Sequence, residues 1–145
     1  MEIVIGVAGS AHLIVGEEDT AIALGSGDVP VLGTPRIVAL LEEAAVAALA
    51  GDLADGMTSV GTHIAVDHVS ASFVGAAVAA VAEVVAVEGR IVMFRLTAQD
   101  GSRTVATGNH TRLLVDRARF LGRASATTRR GTTTGAGSSG TASSG

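Results

Sequence analysis

Residues 36–50, RIVALLEEAAVAALA, are the longest stretch whose apolar positions recur at helical rather than alternating spacing. Thr34 is suited to capping the first free backbone N–H groups, Pro35 to the first helical position, and Gly51 to the stop. Turned at about 100° per residue, Arg36 and Glu43 fall within roughly 20° of each other and mark the one side that meets water. Glu42 lies roughly 100° away, in an arc with Val38, Val46 and Leu49. A helix apolar nearly all round is expected to be enclosed by the fold. On that reading Glu42 is a buried carboxylate, which needs a partner or a purpose.

Around this helix the pattern has the period of strands. Residues 3–7 and 12–15 are short β-branched runs, 20–24 reads as a third, and 25–28 is a loop by composition. Residues 59–68 alternate, with Ile64, Val66 and His68 on one face and His63, Ala65 and Asp67 on the other. The alanines of 76–87 also suit a helix, but the run ends at Glu88-Gly89 and is followed by the alternating 91–99, which reads as a hairpin. A turn at Asp100-Gly101 leads to a strand over 104–115, with Gly108 marking a bulge. The expected architecture is α+β: a curved antiparallel sheet of five or six strands around one long central helix, the hotdog arrangement. One domain is expected over 1–123. Residues 124–145, rich in Ser, Thr and Gly, are expected to be a disordered tail, because they have little apolar surface to offset ordering entropy.

Composition narrows the chemistry. Without cysteine there is no disulfide framework, thiolate zinc site or cysteine nucleophile. The histidines at 12, 63, 68 and 110 lack metal-ligand spacing, so neither a metal nor a cofactor is expected. The apolar start has no basic leader and is broken by Ser10 and His12, which points away from a signal peptide or membrane span and toward the cytoplasm. Residues 1–100 hold three Arg against thirteen acids, whereas 101–145 hold seven Arg against Asp116 alone. Such a basic end suits a phosphorylated ligand. Nucleic acid is a poor partner, since the body is acidic and no Trp or Tyr is present to stack bases.

The candidate residues have structural readings too. Thr34 before Pro35 is a helix cap, Glu42 can neutralise a buried Arg95 or Arg112, and His68 can be a satisfied core residue. His12, His63 and His110 read as structural or surface groups.

Taken in order, VLGTP, Glu42 eight residues after Thr34, VGTHIAVDH, EGR and GNHTR resemble the hotdog thioesterases of the fluoroacetyl-CoA thioesterase-like family, over roughly residues 10–122. The resemblance implies a thioester hydrolase acting on acyl-CoA, working as a homodimer with its site between subunits. It implies Thr34, Glu42 and His68 as the catalytic set and Gly61, through its backbone, as an oxyanion donor. Glu42 would act as base or nucleophile and His68 would shuttle the proton, while Thr34 would orient water or itself attack. Arg112, with Arg117, Arg119 and Arg123, suits substrate contacts at the CoA phosphates. Residues 25–32 contain no aromatic residue, so a Phe lid is not carried over, and a small or medium acyl-CoA is the expected substrate. The alternatives are a non-catalytic acyl-CoA-binding hotdog module and, third, a hotdog dehydratase or hydratase.

Overall fold

The computed structural model describes residues 2–125. Its elements run β1 (Ala8–Ile14), a 3₁₀ turn (Glu17–Asp19), α1 (Ala21–Leu24), α2 (Thr34–Leu49), β2 (Met57–His68), β3 (Ala77–Glu88), β4 (Ile91–Asp100), β5 (Arg103–Asp116) and a helix over 117–125, α3. The five strands form one antiparallel sheet in the order β1-β3-β4-β5-β2. The central helix α2 lies mainly across β1 and β3. This is the expected α+β hotdog arrangement.

The helix and the sheet select each other by size. Ile37, Leu40, Leu41, Ala44, Ala45 and Ala48 of α2 are buried against Val78, Ala80, Ala82 and Val84 of β3 and Val92, Phe94 and Leu96 of β4. The small side chains let the helix approach closely. At Gly9 of β1, a Cβ would run into the helix backbone at Ala44 and Ala48. Truncating a residue such as Leu41 in this packing removes about 2–5 kcal/mol.

Several local expectations change. Residues 20–24 are not a strand: Thr20 caps a short helix by accepting a hydrogen bond from the Ala23 N–H at 3.2 Å. Residues 3–7 do not form a strand, although Gly6 and Val7 bond to Val84 of β3, and the first strand is the single run Ala8–Ile14. Gly33, not Thr34, is the N-cap of α2, and Thr34 occupies the first helical turn with Pro35. The register shift in β2 and β5 falls between Gly61 and His63, not at Gly108. Gly108 stays in register, paired with Val66 and Leu96, and a Cβ there would strike the Ala65 carbonyl on β2.

The enclosure of α2 is also incomplete. Arg36 and Glu43 do mark a wet side, joined at 3.0 Å, with Asp19 on the same guanidinium at 3.2 Å. Ala39, Ala47 and Val46 are exposed as well, Val46 to 50%. The Glu42 side chain is 40% exposed instead of buried. The expected boundary at 123 falls within α3, and the tail beyond 125 lies outside the described residues.

Candidate active site

The sequence-predicted residues fall into two groups. The first is at the N-terminus of α2. There the Thr34 Oγ1 lies 2.9 Å from Nδ1 of His68, the last residue of β2. Thr34 is free to make this contact because Gly33 has taken the capping position. The pair opens onto a cleft of about 320 Å³ lined by Ala21, Val29, Val31, Leu32, Val69 and Ala71 among others. Burial lowers the His68 pKa below its ordinary 6.5, opposed by the backbone at Ser70. Its Nε2 is buried and has no hydrogen-bond partner among the described residues. Most buried polar atoms are satisfied, so an imidazole with one nitrogen on a hydroxyl at a cleft and the other buried and unpaired is a functional signal as well as a cost.

The second group lies two helical turns further along α2. Glu42 Oε2 is 3.4 Å from Arg112 Nη1 and 3.8 Å from His110 Nε2. Of the two arginines open as partners for Glu42, Arg112 is therefore the one, while Arg95 pairs with Glu83 at 2.6 Å on the surface. Arg112 is only 7% exposed. Its Nε donates to Ser59 Oγ at 2.8 Å, its Nη2 to the Ser59 carbonyl at 3.1 Å, and its Nη1 to His110 Nε2 at 3.1 Å. Burial pulls the guanidinium below its ordinary pKa, against the charge of Glu42.

Gly61 belongs to this second group. It pairs with Arg112 across β2 and β5. A Cβ on Gly61 would sit 2.7 Å from Glu42 Oε2, 3.1 Å from His110 Cε1 and 3.4 Å from Arg112 Nη1. Glycine keeps open the space around which the three polar side chains converge.

The two groups do not meet within one chain. Eight residues separate Thr34 from Glu42, about 12 Å along a helix. Seven separate Gly61 from His68, roughly 20 Å along a strand. Thr34 and His68 are together, Glu42, Gly61 and Arg112 are together, and a gap lies between.

The other candidates are placed elsewhere. Arg119 and Arg123, with Arg90, line a separate cavity of about 520 Å³ beside Phe120, and Arg112 is not among its lining residues. Ser59 and His110 were not singled out from sequence as site residues. His110 lies within GNHTR and two positions from Arg112 in a strand, which puts the two side chains on one face. Among the described residues no group of three or more His, Asp or Glu is placed to hold a metal ion. No helix among them is long and apolar enough to cross a membrane.

The chain is similar over most of its length to known proteins. The family model described as fluoroacetyl-CoA-specific thioesterase matches residues 15–118. A fluoroacetyl-CoA thioesterase from Streptantibioticus cattleyicolor is 38% identical over 90 residues, an alignment spanning 62% of this chain and 65% of that protein. A solved fluoroacetyl-CoA thioesterase superposes with a TM-score of 0.79 at 30% identity, covering 86% of this chain and 96% of that one. A variant of such an enzyme in complex with fluoroacetate and CoA superposes with a TM-score of 0.74 at 32% identity, covering 81% of this chain and 98% of that one. By this match over most of its length, the chain belongs to the fluoroacetyl-CoA-specific thioesterase family.

Proposed function

We propose that this protein hydrolyses a small or medium acyl-CoA thioester to the free acid and CoA, as a homodimer in the cytoplasm, with Thr34, Glu42 and His68 as its catalytic set. The observation that carries the reading is the Thr34 to His68 contact in a cleft, with the His68 Nε2 left unpaired. The family membership and the CoA complex of a related enzyme support acyl-CoA as the substrate. The cleft lining mixes Ala, Val and Leu with Ser, Thr and Gly and contains no Phe, which supports a small acyl group.

In hydrolysis, water oxygen bonds to the acyl carbon, the C–S bond breaks, and the CoA thiolate takes a proton. Glu42 supplies the base that draws a proton from water, or attacks the carbonyl itself to give an anhydride that water then opens. His68, neutral at the start, takes up the proton released by water and passes it to the departing sulfur, and the Gly61 N–H meets the oxyanion. Thr34 orients the attacking group. Arg112 acts at the carboxylate end of the site, which leaves Arg90, Arg119 and Arg123 as candidate contacts for the CoA phosphates.

The homodimer is supported by the separation of the two groups and by the free edge of the sheet. Among the described residues β2 pairs with β5 on one side only. Antiparallel pairing of β2 with its copy, about a two-fold between Ile64 and Ala65, sets His68 opposite the partner's Gly61. One subunit's Thr34 and His68 then face the partner's Glu42. Val46, 50% exposed, lies one turn beyond Glu42 on α2.

The test is thiol release from a panel of acyl-CoA esters by wild type, Glu42→Ala and His68→Ala proteins of unchanged circular dichroism. Loss of turnover in both variants supports the reading. Saturable binding without turnover in the wild type replaces it with a non-catalytic acyl-CoA-binding module.

A further inference from the structure

We propose that His110 is a positioning residue, held as the neutral imidazole with its proton on Nδ1, which fixes the Arg112 guanidinium against Glu42. The inference rests on the catalytic reading of Glu42 and adds a residue that the proposed mechanism does not use.

Two hydrogen bonds determine where the proton sits. The His110 Nδ1 is 2.7 Å from the His63 carbonyl oxygen, which only accepts, so Nδ1 carries the hydrogen. The Nε2 is 3.1 Å from Nη1 of Arg112, which only donates, so Nε2 presents its lone pair. A second proton on the ring would point at the guanidinium. The 3.8 Å approach of Nε2 to Glu42 is therefore not an ion pair.

The groups around the ring act in both directions: Arg112 on β5 and the His63 side chain on β2 oppose a positive charge, while the His63 carbonyl and Glu42 on α2 favour one. Burial is the largest influence, and the net result is a pKa lowered from 6.5. On β4, Phe94 holds the ring from the side with centroids 5.9 Å apart. The ring is 1% exposed and cannot turn away from its partners without losing both bonds.

The consequence falls on Arg112. Ser59 holds Nε and Nη2, and His110 takes one hydrogen of Nη1, which directs the other toward Glu42. A guanidinium held on three sides gives the carboxylate one fixed neighbour instead of a mobile one, and such placement governs the catalytic step more than binding.

The experiment compares His110→Gln, His110→Asn and His110→Leu in the full-length enzyme. A Gln amide oxygen reaches the position of Nε2 and restores the acceptor for Arg112, whereas Asn restores only the bond to His63. The inference predicts kcat lowered roughly 10- to 100-fold in Asn and Leu with KM changed less than about threefold, and Gln within about fivefold of wild type. Equal loss in Gln and Asn, or kcat unchanged in Leu, overturns it. If the variants do not fold, ¹⁵N spectra of the wild-type histidines decide: a predominantly neutral Nδ1–H form is expected from pH 8 down to pH 6.5, and an Nε2–H form, or titration at or above 6.5, overturns the inference. Glu42→Ala is run alongside. Full activity there removes the catalytic reading on which the role depends, while the ¹⁵N result still reports the tautomer by itself.

Discussion

The two halves of the candidate site are built in opposite ways. The Thr34 and His68 corner is one hydrogen bond at the mouth of an open cleft, with an exposed hydroxyl and an imidazole nitrogen left unpaired. At the other end, Glu42 faces a network in which Arg112 and His110 are almost fully buried and Arg112 is held by Ser59, His110 and Glu42 together. In the proposed mechanism the first group moves a proton. Arg112 and His110 are fixed in place, and a fixed charge beside a reacting centre costs no reorganisation during the reaction. On that mechanism the contrast separates Thr34, Glu42 and His68, which change partners during turnover, from Arg112 and His110, which hold theirs.

The comparison breaks most sharply at Glu42. Glu42→Gln keeps the size and removes the base, and thiol release is expected to fall by about 10²- to 10⁴-fold without loss of melting temperature. Next comes Gly61→Ala, whose methyl would sit 2.7 Å from Glu42 Oε2 and close to His110 and Arg112. Displacing Glu42 in this way is expected to lower kcat by roughly 10- to 100-fold, measured in the same assay. By contrast, Thr34→Val removes an exposed hydroxyl, so activity falls while the melting temperature stays within about 2 °C.

Acidity sharpens the comparison further. Both His68 and His110 are shifted below 6.5, chiefly by burial, so the folded state takes up protons less readily than the unfolded one. The stability they contribute is complete above the unfolded value and is lost as pH falls from about 6.5 toward their lowered folded values. Melting temperature is expected to decline over that window. If neutral His68 is the working form, kcat/KM falls with a midpoint below 6.5. The smallest effect is expected from removing residues 126–145: their composition offers little to bury, so the melting temperature should stay within about 2 °C.

What could be read in advance follows from how local each signal is. The α2 helix, the β3–β4 hairpin and the alternation of β2 are written in short-range periodicity, and so is the salt bridge from Arg36 to Glu43 seven positions on. Local signals misled at Thr20, where β-branched residues read as a strand but the hydroxyl caps a helical turn. They misled also at Thr34, since a threonine before proline looks like a cap whether or not its side chain has a better partner 34 positions away. Glu42 stood out as an acid among apolar residues, though its burial was overstated because a single α2 is not wrapped on every side. Arg112 was one of two possible partners, and only the register of β5 against β2 selects it. His110 could not be told from a surface histidine by alternation alone, because its meaning depends on His63, Phe94 and Arg112 arriving from three strands.

The division of the site between two subunits is the central structural claim, and mixing inactive chains tests it directly. Thr34→Ala and Glu42→Ala proteins are each expected to be inactive. After co-refolding, random pairing makes half the dimers mixed, each with one intact site, so roughly a quarter of wild-type thiol release should return. No recovery in a mixture shown by mass spectrometry to contain mixed dimers would place Thr34 and Glu42 of the same chain in one site and contradict the account.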